Sequence, residues 1–349
     1  MTKSPRWKRR PEGSNWGEFG PDDQLGRLNL LTPEKVKQGV AEVREGLTFC
    51  LSLPLDLPGG NVLNPGRHPP VLRPTRRNGR ACFLYAASLD APDRTDVIND
   101  DLAVIHLQYS TQWDSFAHNG QMFDADDDGV AEMVFYNGYR AGREIVWPSN
   151  AAGAFDDADP TLTSAARAVG VDTMAAHGIQ GRGVMIDLHA HVGDARQRID
   201  YDALMRILER DRVEVERGDM VCLHTGFARL VLEMGGRPDG ERLRRSGAVI
   251  HGRDPRLLRW ITDTGLVALL ADNYAVEELP GPDQQGAAAF APLHEHCLFK
   301  LGIPLGELWF LTDLANWLRA HRRNRFLLTA PPLRLPGAVG SPATPVATV

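Results

Sequence analysis

The chain has few cysteines: Cys50, Cys82, Cys222 and Cys297 among 349 residues, with no C-x-x-C pair. That spacing excludes a disulfide scaffold and the common thiolate zinc sites, and it predicts buried free thiols. No apolar run approaches the ~18 residues of a membrane span, so no membrane partner is expected. The basic start, Met1 to Arg10, is followed by no apolar stretch of the kind a secretory signal needs. The expected location is cytoplasmic. Basic residues are not in excess either. The formal net charge is −6, and the arginine-rich pieces 6–10, 73–80 and 319–325 are short, which argues against nucleic acid as a partner. Neither G-x-x-x-x-G-K-[ST] nor G-x-G-x-x-G occurs, so no nucleotide cofactor is expected. Gly181-Arg-Gly183 reads as a tight turn into a strand. A G-x-S-x-G nucleophile elbow is also missing.

What is present is a chain 43% hydrophobic, enough for a substantial core. Residues 1–30 form an arm too polar for a core and too aromatic for a free tail, with Trp7, Trp16 and Phe19. It is expected to pack on the body or on a neighbouring subunit. Thr32-Pro33-Glu34 starts a helix, with Thr as cap and Pro at the first position, running to Gly46. Strands are predicted at 48–53, 102–107, 183–188, 219–224 and 266–271, with another supplied by the segment 324–332. Helices are predicted at 161–176, 200–212, 226–234, 254–263 and 293–301. The Pro/Gly-rich stretch 54–80 is long for a loop, and together with 120–150 it is expected to wall the pocket. No repeat or linker divides residues 31–349, so they form one α/β domain.

The chemistry gathers in Gln108-Tyr-Ser-Thr111-Gln112-Trp113-Asp114-Ser-Phe-Ala-His118. Any extended part would send 108, 112 and 114 to one side. Asp114 suits a metal or the orientation of a base, and His118 suits proton transfer at neutral pH. A buried, hydrogen-bonded Asp beside a structural His is the plain alternative. Asp124-Ala-Asp-Asp-Asp128-Gly129 begins like a calcium loop, but Phe135 stands where glutamate belongs, so a polar turn is read there. Tyr136-Asn137-Gly138 reads either as a turn or as a pair of donors to an oxyanion. His189 and His191 would face one way on a strand. His177, near a turn, is a candidate for the pocket wall.

The stretch 108–118 resembles the signature of the putative cyclase family, which includes bacterial kynurenine formamidase and isatin hydrolase and reads H-x-G-T-H-x-D-x-P-x-H. Thr111, Asp114 and His118 match, whereas Gln108 and Gln112 replace the two histidines, Ser110 the glycine and Phe116 the proline. The S-T-Q-W-D form is similar to that of longer members. Further along, 177–187, 218–226, Asp272-Asn273-Tyr274-Ala-Val-Glu277, Pro292-Leu-His294, Gly302 to Glu307 and 330–342 resemble family segments. The resemblance implies a compact body with a mixed, barrel-like or swivelling sheet flanked by helices, and a homodimer or homotetramer. It implies Asp114, His294 and Glu307 as ligands of a divalent metal, Mn or Zn, and His118 as proton shuttle. Gln108, Gln112, Trp113, Tyr136, Asn137 and His177 would meet a small-molecule substrate. Amide oxygens at 108 and 112 suit a hard ion such as Mn or Mg better than Zn, or leave the site without metal. The implied activity is hydrolysis of a C–N or C–O bond in a small cyclic amide, lactone or formamide. The alternative is a metal-free cyclase or dehydratase acting on an aromatic or polyketide-like substrate, and a third possibility is a non-catalytic binder.

Overall fold

Buried runs of small and branched apolar residues build the centre of the protein. The computed structural model describes residues 6–147, 163–279 and 287–349. Nine described strands form one mixed sheet: β1 (Thr48–Cys50), β2 (Gln112–Asp114), β3 (Gln180–Asp187), β4 (Met220–His224), β5 (Ala268–Ala271), β6 (Leu305–Glu307), β7 (Arg325–Thr329), β8 (Gly340–Pro342) and β9 (Val346–Thr348). Their order across the curled sheet is β1-β9-β7-β3-β4-β5-β6-β2-β8. Strands β3 to β6 run parallel to one another, and the other pairings are antiparallel. Parallel strands need cover on both faces, and β4 and β5 are buried throughout. Alternate residues of β3 feed opposite cores: Val184 and Ile186 one, Met185 the other.

Helices cover both faces. Leu204 and Ile207 of α2 (Tyr201–Asp211) and Leu257 and Ile261 of α4 (Pro255–Thr264) join the first core, together with much of the 292–301 helix. Leu314, Ala315 and Leu318 of α5 (Thr312–Ala320) enter the second, and α1 (Pro33–Val40) lies along β3. Between α2 and α4 lies the short α3 (Phe227–Glu233), whose Phe227 and Val231 form a smaller third cluster. The helix starts are set by side chains: Thr32, Asp200 and Asp254 each accept from backbone N–H groups of the first turn.

The N-terminal arm packs across the body. Trp16 is fully buried, and its Nε1 donates to the Phe299 carbonyl at 2.8 Å. Arg27 donates to the Ile261 and Thr262 carbonyls at the end of α4. Gly26 meets Gly302 so closely that a Cβ there would lie 2.3 Å from the Gly302 carbonyl oxygen.

Several elements differ from the sequence reading. Only Asp101–Val104 of 102–107 is extended, and it pairs with Val71–Pro74 in a two-stranded ribbon apart from the main sheet. Every residue of that ribbon is exposed, so its apolar content does not mark a core strand. The first helix stops at Val40, and the strand at 48–53 is limited to Thr48–Cys50. The predicted helix 161–176 is reduced to Val171–His177 after a short strand at Ala165–Ala166; residues 161 and 162, and 148–150 of the 120–150 loop, lie outside the described residues. All four cysteines are free as expected, but Cys50 is exposed.

A buried ionic knot ties α1 to the sheet. Asp219, wholly enclosed, accepts from Lys35 Nζ at 3.0 Å and from Arg182 Nε at 2.9 Å. Removing the anion breaks the buried pair and leaves both cations only the partly exposed Glu216, a loss of up to about 3 kcal/mol. The Asp219→Ala variant is therefore expected to unfold at a clearly lower urea concentration. Arg245→Ala, at an exposed surface pair, is expected to shift the midpoint by no more than about 0.5 kcal/mol in stability.

Candidate active site

Strands β2 and β6 lie antiparallel with Glu307 opposite Gln112 and Leu305 opposite Asp114. Directly opposed residues share a face of the sheet, and so do positions two apart. Gln112, Asp114 and Glu307 therefore point the same way, all buried. Gln112 Nε2 donates to Glu307 Oε2 at 2.9 Å. That bond orients the amide and leaves Gln112 Oε1 without a partner.

His294 arrives from the helical turn Pro292–His294 that precedes a π-helical segment, Glu295–Leu301. Glu277 fixes it: its carboxylate accepts from the Leu293 and His294 amides and from His294 Nδ1 at 2.7 Å. The other ring nitrogen, Nε2, is 3.3 Å from Glu307 Oε1. Asp114, His294 and Glu307 thus offer ligand atoms within 4.8 Å of one another. Both oxygens of Asp114 are buried without any hydrogen-bond donor. A carboxylate in that state is costly unless a cation or a proton neutralises it.

The charges respond accordingly. Burial raises the Asp114 pKa, with His118 opposing and Glu307 reinforcing the shift. Burial also acts to raise Glu307, but the bond to His294 and its charge prevail and hold it below the ordinary carboxylate value. For His294, burial lowers the pKa, yet Glu277 and Glu307 outweigh it and push the imidazole up to about 10.

His118 stands at the accessible edge of this group, its Nε2 3.9 Å from Asp114 Oδ1. Gln108 is 3.3 Å from His118 Nδ1. Thr111 is a brace: its hydroxyl donates to the Leu308 carbonyl and accepts from the Leu53 amide.

Other sequence candidates stand elsewhere. Trp113 points to the opposite face, where it donates to the Ala330 carbonyl and packs edge-on against Trp309. Strand alternation alone requires this. Tyr136 and Asn137 fasten the N-terminal arm: Tyr136 bonds Asp23, and Asn137 binds the Gly20 and Asp23 carbonyls and the Gly17 amide. His177 ends a helix and is exposed. His189 and His191 lie on a short helix, bonded separately to Asp194 and Asp211. Buried His224 is bonded to Asp187 and Thr312. Asp187, His189 and His224 also approach closely, but Arg319 already neutralises Asp187. Asp124 closes its own turn by accepting from the Asp128 and Gly129 amides.

Three residues escaped the sequence reading. Glu277 lies in the 272–277 stretch but had no assigned role. Tyr274, in the same stretch, lies in the field of Glu307 and Asp114; burial first, then Glu307, raises its pKa. Arg67, on the long loop, donates from Nη1 to the Gln108 carbonyl at 2.7 Å. A clue to the first two is backbone strain: Ala275 and Val276 have φ of 74° and 59°, costly for a β-branched residue and typical of functional turns. Tyr274 and Glu277 also line a cavity of about 230 Å³ whose walls mix apolar Val62, Leu63, Phe227, Leu243 and Val249 with polar Arg196, Arg244 and Ser246.

The family model described as putative cyclase matches residues 51–278. A crystal structure described as a novel cyclase is 28% identical, covers 96% of this chain and 97% of its own, and superposes with a TM-score of 0.71. Isatin hydrolase A from Ralstonia solanacearum is 14% identical over 90% of this chain and 97% of its own, with a TM-score of 0.54. Isatin hydrolase A from Labrenzia aggregata, bound to benzyl benzoate, has the same identity and coverage and a TM-score of 0.53. At that identity the two isatin hydrolases show a shared fold. No curated protein matches the chain in sequence. The chain belongs to the putative cyclase family and is an enzyme of that fold.

Proposed function

We propose that the protein is a hydrolase that opens a C–N or C–O bond in a small cyclic amide, lactone or formamide by attack of water. The observation that carries this reading is the buried, donor-free carboxylate of Asp114, set beside Glu307 and His294 with His118 3.9 Å away. The donor set suits a hard divalent cation: carboxylate oxygens, one imidazole and the orphaned Gln112 Oε1. Asp114, His294 and Glu307 would hold it, and it would lower the pKa of a bound water and polarise the carbonyl. The oxygen-rich set favours Mn over Zn.

The protein's own groups supply the rest. Asp114 orients the attacking water. His118 removes its proton and returns it to the leaving nitrogen or oxygen. Gln108 Nε2 faces His118 Nδ1 at 3.3 Å; for the base role the Gln108 amide flips so that its oxygen accepts from Nδ1–H, which leaves Nε2 free on the side of Asp114. The cavity beside Tyr274 and Glu277 offers mixed apolar and polar walls to the body of a small substrate. Homodimer or homotetramer assembly belongs to the same proposal, supported by exposed apolar side chains such as Leu72, Leu84 and Met133. No helix among the described residues is long and apolar enough to cross a membrane.

Screened against aryl lactones, cyclic imides and N-formyl anilines, His118→Ala is expected to lose roughly 10²- to 10⁴-fold in turnover while its melting curve stays near wild type. Asp114→Asn is expected to lose most turnover and metal together. Near-wild-type rates in both variants would move the chemistry elsewhere. Elemental analysis and chelation separate this reading from the metal-free cyclase or dehydratase, because activity that survives complete metal removal favours the latter.

The metal and a proton compete for His294. Its folded-state pKa of about 10 lies above the roughly 6.5 of an unfolded histidine. In metal-free protein the ionic contact therefore stabilises fully below about pH 6.5 and is lost as pH rises through about 10. Mn²⁺ affinity, followed by electron paramagnetic resonance, is expected to rise with pH across that window in wild type, and the dependence is expected to flatten in His294→Ala.

A further inference from the structure

Arg67 is held in place by its own loop. Its amide donates to the Asn64 carbonyl at 3.1 Å, and Asn64 Oδ1 accepts from the Gly66 amide at 2.9 Å. Asn61 Nδ2 donates to the Pro65 carbonyl at 3.2 Å, and the His68 amide reaches His106 Nδ1 at 3.2 Å. Both ends of this turn touch groups of the active site: Asn64 Nδ2 lies 3.5 Å from the Tyr274 hydroxyl, and Arg67 Nη1 donates to the Gln108 carbonyl. A guanidinium has five N–H donors. Beyond the bond to Gln108, Arg67 makes no ion pair among the described residues, although its charge acts on Asp114, Glu307 and Tyr274. A half-buried, pre-positioned guanidinium with open donors matches the planar fork of a carboxylate.

We propose that Arg67 is the substrate-recognition residue for the acyl oxygens, so that the enzyme takes amides, lactones or formamides whose cleavage releases a carboxylate held by this guanidinium. Water oxygen bonds to the acyl carbon, the C–N or C–O bond breaks, and the leaving atom takes the proton carried by His118. The acyl product ionises by releasing its proton to solvent, and the anion faces Arg67. The origin of the anion rests on the hydrolase reading; its recognition does not.

Benzoate serves as the product-like probe and benzamide as its neutral counterpart. Each is titrated calorimetrically into wild type, Arg67→Gln and Arg67→Lys, all freed of metal so that no cation ligates benzoate directly, with thermal melts to confirm folding. Wild type is expected to bind benzoate at least about tenfold tighter than benzamide. Arg67→Gln should erase that preference while leaving benzamide binding in place, and Arg67→Lys should restore part of it. A folded Arg67→Gln that keeps the preference, or a wild type without one, overturns the proposal. If the preference depends on Arg67 but no amide, lactone or formamide is turned over, the hydrolase reading falls and anion recognition by Arg67 stands.

Discussion

The pairing of β2 with β6 is the constraint on which the site depends. Gln112 lies near the first third of the chain and Glu307 near its end, yet the register places them directly opposite. Because side chains alternate along a strand, this one register sets the faces of Asp114, Glu307 and Trp113 together. A slip of one residue would turn Asp114 into the tryptophan layer and Trp113 into the polar cleft. The Trp113–Trp309 contact on one face and the Gln112–Glu307 bond on the other hold the register from both sides.

A second layer depends on Glu277. It neutralises one side of His294 and caps the short helical turn that carries it, so one carboxylate sets both the position and the charge of the imidazole. The strained turn at Ala275–Val276 places Glu277 beneath His294 and leaves Tyr274 on the cavity wall. The polar chemistry is thus enclosed by apolar strands, and low local polarity strengthens each charge contact.

Much of this was legible beforehand. The strands expected at 183–188, 219–224 and 266–271 are found at Gln180–Asp187, Met220–His224 and Ala268–Ala271. They were legible because apolar runs between turn residues mark buried strands, and the Thr32 cap was legible because capping is local. The set of Asp114, His294 and Glu307 came from ordered resemblance and not from spacing. The ribbon of Val71–Pro74 and Asp101–Val104 was misjudged because apolar composition cannot say whether anything covers a strand. Tyr136 and Asn137 offered the right donor groups for an oxyanion, but the folded N-terminal arm takes them up.

By itself the sequence determined the α/β class, the helix start at Thr32-Pro33 and the free thiols, because these follow from composition, periodicity and short-range bonding. Only the tertiary structure decided which distant residues meet. It brought Glu277 to His294, Arg67 to Gln108 and Gln112 to Glu307, contacts set by strand register and loop closure, which no local pattern encodes.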